Sequence, residues 1–328
     1  MRSFCFRLFI TLISILIMVF NGGCSHGQHF GSLTNSKGNM GSLIDTASGT
    51  KLLSKEYGNG DQTVILVHGG PGLPGYMGTL GRLIQEKFRI VEYYQRDSIA
   101  AISNGPFTFS DNVQDLVSVV KYYSRFGKPI LIGHSGGASI AIEASKLISP
   151  NIKKLIIIDS APLDIKSLDI FEKRLSRRLE KLVPGWRAKM KVATKKLEAA
   201  KNESPEKRFL LFQKLNDLYW PAYFVKGKKS SELFFEPTNL DATNSIAADW
   251  EKQLKAGALS KNLSQISTFV VQIYGSEDLL PWKKTSDLLK KNIKNYSIVQ
   301  INNAGHFPWL DLEARADFLK VLLQALAN

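Results

Sequence analysis

Short runs of consecutive apolar residues recur along the chain, and segments with an apolar residue every three or four positions alternate with them. Val64-Ile65-Leu66-Val67 and Pro129-Ile130-Leu131-Ile132 are two such runs, and Phe88 to Tyr93 and Ile152 to Ile158 also read as strands. Unbroken apolar runs of this length mark strands buried on both faces, as in a parallel sheet. Between them, Tyr76 to Lys87, Asp111 to Arg125 and Ala138 to Ile148 read as helices; Val113, Leu116, Val117 and Val120 show the spacing. Such alternation implies right-handed β-α-β crossovers, and the expected class is α/β: a mostly parallel central sheet with helices on both faces.

The rhythm breaks between Pro162 and Leu263, where the chain turns lysine-rich and helix-like. Leu168 to Val183, Trp186 to Lys201 and Lys207 to Tyr219 are the helices expected there, and Lys226 to Ser231 reads as a solvated loop. The β-α pattern resumes at Thr268 with strands Phe269 to Tyr274 and Ser297 to Ile301, then a closing amphipathic helix from about Leu312 to Leu326. The expected organisation is a core of residues 41–161 and 264–328 interrupted by a helical cap, residues 162–263.

Candidate chemistry sits where these strands end. Ser135 is the centre of Gly133-His134-Ser135-Gly136-Gly137, directly after a strand and before a helix. That sequence forces a serine into an exposed, strained elbow, which the small flanking residues allow to close. A serine hydroxyl needs an imidazole to take its proton and a carboxylate to hold that imidazole. Of the five histidines, His26 and His29 lie near the amino terminus, His68 belongs to a glycine loop, and His134 should point away from Ser135. His306, in the loop Asn302 to Pro308, is the expected base. The acid is expected on the loop after Phe269 to Tyr274, and Asp278 is chosen over its neighbour Glu277; Pro281 then opens a helix. His68-Gly69-Gly70-Pro71-Gly72 follows another strand, so the N–H groups of Gly70 and Gly136 are the expected oxyanion donors.

With these residues in place, about Gly41 to Asn328 resembles the α/β-hydrolase superfamily, and the H-G-G-P-G loop resembles its proline iminopeptidase branch. Tyr94-Gln95-Arg96 is similar to that branch's D-Q-R-G stretch, and Phe107-Thr108-Phe109 to Asp115-Leu116 to its next helix start. Tyr94 and Asp97 stand where the branch has aspartate and glycine, and Gly136 where many members have tryptophan. The resemblance implies a serine hydrolase that cleaves an ester or amide through an acyl-enzyme. Aminopeptidase and carboxylesterase or lipase activity both remain open, as does a non-catalytic binding protein that kept the fold. Trp220, Tyr223, Phe234 and Phe235 are the aromatics expected to line an apolar pocket. The branch uses cap carboxylates to hold a peptide amino terminus; Glu232, Glu236, Asp241, Asp249 and Glu251 are available, without a motif to single one out.

Composition adds an address. Arg2 and Arg7 precede an apolar stretch from Leu8 to Phe20, and Gly22-Gly23-Cys24-Ser25 follows. The expectation is a signal peptide over residues 1–23, lipidation of Cys24 and a flexible tether over 24–40, giving an exported, membrane-anchored bacterial lipoprotein; simple secretion is the alternative. Cys5 and Cys24 are the two cysteines, so no disulfide is expected in the folded part. Forty-three basic against twenty-nine acidic residues leave a formal charge of +14, which favours an anionic membrane surface as partner beside a small-molecule or short-peptide substrate. Nucleic-acid binding is discounted for want of a motif, and no cofactor or metal is expected.

Overall fold

The computed structural model describes residues 39–327, so the expected leader, Cys24 and most of the tether lie outside the described residues. Eight strands form one sheet in the order β1-β2-β4-β3-β5-β6-β7-β8. They are β1 Asn39–Asp45, β2 Lys51–Tyr57, β3 Thr63–Val67, β4 Arg89–Tyr93, β5 Ile130–His134, β6 Lys154–Ile158, β7 Phe269–Gly275 and β8 Tyr296–Ile301. β1 and β2 join antiparallel at one edge, and every pairing from β4 to β8 is parallel. β3, β5 and β6 are buried along their whole length, as their unbroken apolar runs require. The antiparallel edge had no such signal: β2 carries Lys51, Lys55 and Glu56, and alternates buried with half-exposed positions.

Two apolar layers close over the sheet. On one face α2 (Phe109–Tyr123), α3 (Gly136–Ile148) and α8 (Trp282–Asn292) bury Leu116, Ile142 and Leu289. On the other α1 (Gly78–Ile84) and α9 (Arg315–Ala327) bury Leu80, Phe318 and Leu322 against Ile132 and Ile273. Helix starts follow local capping chemistry: Thr108 accepts from the Asp111 N–H at 3.1 Å, and Asp164 from the Ser167 N–H at 2.9 Å.

Between β6 and β7 the chain is helical, with α4 (Ile165–Leu182), α5 (Trp186–Ala199), α6 (Pro205–Asn216) and α7 (Leu240–Lys255). α7 is the helix without a sequence-level expectation; Asn239 caps it, accepting from the Asp241 and Ala242 N–H groups. The insertion is fastened to the core at a few polar points. The Asp97 carbonyl accepts from the Asn239 N–H at 2.8 Å and the Thr238 hydroxyl at 2.6 Å, and its carboxylate accepts from the Thr243 hydroxyl at 3.1 Å. Glu236 accepts from Tyr94 at 2.5 Å and Lys55 at 2.6 Å. Tyr94 and Asp97, the two departures from D-Q-R-G, are therefore among the residues that fasten the insertion to the core.

Arg96, between them, is wholly buried and grips Asp115 with two bonds, Nε at 2.8 Å and Nη2 at 2.6 Å. Burial raises the Asp115 carboxyl pKa, and the guanidinium offsets part of that rise. Removing one partner strands the other charge in the core. Asp115→Ala is expected to lose about 3–5 kcal/mol of unfolding free energy in urea titration; a loss below about 1 kcal/mol would show that the pair does not support this corner of the fold.

Candidate active site

Ser135 sits between β5 and α3 with φ 55 and ψ −123, a conformation outside the regions that side chains favour. Its N–H donates to the Ile158 carbonyl at 3.1 Å, and its own carbonyl accepts from the Ala161 N–H at 3.1 Å, so the end of β6 and the loop after it hold the elbow. Glycines let neighbouring main chains close on it. A Cβ on Gly137 would lie 2.1 Å from the Val67 carbonyl oxygen, and one on Gly136 would lie 2.4 Å from that of Gly70. The two expected oxyanion donors thus come from adjacent loops that touch through main chain, and Gly136 is the first residue of α3, where N–H groups have no intrahelical partner.

His306 lies on the loop after β8, and its N–H donates to the Tyr223 carbonyl at 2.8 Å. The Nδ1 of its ring faces Asp278 Oδ2 at 3.1 Å, with both side chains buried. That contact assigns the proton to Nδ1 and leaves Nε2 for the cavity. Glu277 instead is exposed beside Arg178, 3.9 Å away. Ser135, His306, Gly70 and Gly136 line one cavity of about 210 Å³.

Trp220 and Tyr223 line that cavity, whereas Phe234 and Phe235 do not, a correction to the expected aromatic set. Phe234 is 43% exposed, and Phe235 is spent on stacking, 5.0 Å from Trp220 at 23°. The other apolar walls come from the insertion and the core helices, Phe171, Phe212, Ile246 and Trp250 among them. The candidate cap carboxylates all lie elsewhere. Glu232 pairs with Arg315, Glu236 with Lys55, Asp241 with Arg208 and Glu251 with Lys255, while Asp249 accepts from the Phe109 N–H. None of the cavity's lining residues is an aspartate, glutamate, lysine or arginine.

A second, internal network escaped the sequence reading. The Gly69 N–H donates to the Tyr76 hydroxyl at 2.7 Å, which donates to His134 Nδ1 at 2.6 Å, and His134 Nε2–H donates to the His306 carbonyl at 2.7 Å. Only a neutral His134 can accept at one nitrogen and donate from the other. Burial, first, and the nearby His306 push its pKa well below the ordinary value. The chain of bonds ties the glycine loop to the loop that carries the base. The one signal for it was His134 itself, a polar residue ending an apolar strand.

The family model for the alpha/beta hydrolase family matches residues 64–320. The chain belongs to that family. A Haemophilus influenzae protein assigned as an esterase/lipase is 24% identical over 292 residues, 84% of this chain and 88% of its own. Proline iminopeptidase PfmaB of Pestalotiopsis fici is 23% identical over 252 residues, 74% of this chain and 84% of its own. Among solved structures, a thermophilic esterase from Thermogutta terrifontis superposes with a TM-score of 0.58 at 18% identity, covering 88% of this chain and 99% of that one. The fold expected from the sequence is thereby established, and these relatives make the chain a hydrolase.

Two measurements probe the site's framework. In Gly136→Ala the new methyl meets the Gly70 carbonyl oxygen, so the expected oxyanion donor must move; turnover of the folded protein should fall by about 10²–10³-fold, with a lowered melting temperature. An activity loss below about tenfold would remove Gly136 from the oxyanion site. Acid stability reports the buried imidazoles. Burial lowers the His68 pKa to about 4, and its Nε2 has no partner. An unfolded histidine titrates near about 6.5, so stability is intact above that pH and lost as pH falls toward the folded value. Unfolding free energy measured across this window should decline, and His68→Gln should flatten the decline.

Proposed function

We propose that this hydrolase is a serine carboxylesterase acting on uncharged acyl esters. Ser135 attacks the ester carbonyl, His306 takes the serine proton and returns it to the leaving alcohol, and Asp278 holds the imidazole by its Nδ1–H. The N–H groups of Gly70 and Gly136 stabilise the oxyanion, and water then releases the acyl group by the same route. The observation that carries the substrate class is the cavity wall, mostly apolar and aromatic, with a few neutral polar groups such as Gln95, Asn216 and Asn244 and no aspartate, glutamate, lysine or arginine. A peptide amino terminus brings an ammonium group, and burying that charge without a carboxylate costs several kcal/mol. The likeness to an esterase/lipase relative, which covers more of the chain than the proline iminopeptidase match, agrees with this choice. The helical insertion serves as the lid of the acyl pocket, because Phe212, Tyr219 and Trp250 reach the cavity from it. Lipidation at Cys24, with the excess of basic residues, would hold the enzyme at an anionic membrane surface.

Turnover of p-nitrophenyl butyrate and of prolyl-naphthylamide separates the readings. The ester should be preferred by about two orders of magnitude or more in kcat/KM, and Ser135→Ala should lower ester turnover by about 10⁴-fold or more while the protein stays folded. Efficient release of the amine, or an undiminished Ser135→Ala protein, would overturn the proposal.

A further inference from the structure

Asp159, the residue that follows β6, is 1% exposed and has φ 43, a left-handed conformation unusual for a buried side chain. Its N–H donates to the Ile273 carbonyl at 3.0 Å, and its Oδ1 accepts from the Gly275 N–H at 2.9 Å. Gly275 in turn accepts from the Asp278 N–H at 3.2 Å, so Asp159 is built into the turn that presents the acid. Its other oxygen, Oδ2, is buried without a donor. The Asp159 side chain is nevertheless within hydrogen-bonding reach of Asp278. Two carboxylates are both acceptors and repel each other, so this contact is unfavourable unless one proton lies between them. Asp278 Oδ2 is already engaged by His306 Nδ1, and Oδ1 accepts only a long bond of 3.3 Å from the Leu280 N–H.

We propose that Asp159 is a neutral carboxylic acid whose O–H donates to the Asp278 carboxylate, which makes it a positioning residue for the acid and the histidine. One proton resolves both anomalies, the donorless oxygen and the contact between acids. The surroundings favour it. The charged groups that bear on Asp159 are Asp278 and Asp311, both acidic, and burial, followed by Asp278, raises its pKa well above the ordinary value. Asp311 is itself occupied by the Gly305 N–H at 2.6 Å, and Tyr223, whose hydroxyl burial keeps neutral, stands beside the acid. Loss of the Asp159 proton would place a second negative charge against Asp278 and remove the donor that steadies it. The carboxylate would then turn from His306.

The assignment rests on reading Ser135, His306 and Asp278 as the catalytic set, and its test has an arm that does not need turnover. Infrared difference spectra of wild type against Asp159→Asn, at about pH 8 where ordinary carboxyls are ionised, should show a protonated-carboxyl C=O band lost in the variant. In activity, Asp159→Ala should lose about tenfold or more in kcat with KM little changed. Asp159→Asn, which keeps an acceptor for Gly275 and a donor for Asp278, should restore most of that loss. It should also abolish an alkaline fall in kcat that wild type shows as Asp159 ionises. Absence of the carboxyl band, or an Asn variant as impaired as the Ala variant, would overturn the proposal. A missing esterase activity with the band present would instead overturn the functional reading and leave the proton where it is assigned.

Discussion

The site depends on how closely three stretches of main chain approach one another at the elbow. Val67 and His68 come up from β3, Gly70 folds back across the start of α3, and Gly136 and Gly137 fill the gap between them with no side chain. The distances to an imagined methyl, 2.1 and 2.4 Å, are far inside van der Waals contact, so this packing exists only with glycine. Everything chemical follows from that closeness. It sets the Gly70 main chain against Gly136 and holds Ser135 in its strained conformation. The strain, of order 1–3 kcal/mol, is sustained by bonds from Ile158 at the end of β6 and from Ala161 just beyond it.

A second constraint fixes the base relative to this elbow. The loops bearing Gly69 and His306 come from distant parts of the chain, and the Tyr76–His134 bonds run between them through the protein interior. The direction of every proton in that chain is dictated by its ends, a main-chain N–H that can only donate and a carbonyl that can only accept. His134 is thereby locked as one neutral tautomer. Its position next to Ser135 therefore has a structural use: it faces away from the serine to hold the loop that carries His306.

The central sheet was legible because strands buried on both faces need apolar runs: β3, β5 and β6 have unbroken ones, and in β7 only Gln272 interrupts it. β1 and β2 were not, because an antiparallel edge half open to water accepts lysine and glutamate. Ser135, Asp278 and His306 could be named as candidates because each ends or follows a strand and few alternatives exist for the histidine, and the fold sets His306 against Asp278 and beside the cavity with Ser135. The pocket could not. Phe234 and Phe235 have the same composition as Trp220 and Tyr223, and only the fold of the insertion decides which aromatic rings face the cavity. The partners of Tyr94 and Asp97 were hidden for the same reason: Glu236 and Thr243 are more than a hundred residues away in sequence. Asp159 carried no signal beyond its place after a strand, since its protonation depends on a neighbour that only tertiary structure supplies.

The charge distribution around the cavity links these parts to the chemistry. Arginine, lysine and carboxylate side chains of the insertion pair with one another or with the core outside the cavity wall, and the nearby histidines His68 and His134 are held neutral by burial. A reacting ester carbonyl therefore develops its negative charge in a space with few competing fields. In such surroundings fixed main-chain dipoles act strongly, because little solvent remains to screen them. The same neutrality works against a substrate that arrives charged, since nothing in the wall repays its lost hydration. Apolar walls and oxyanion stabilisation are thus two consequences of one arrangement: the insertion keeps its ionised groups on its outer and lateral contacts and turns aromatic and aliphatic groups toward Ser135.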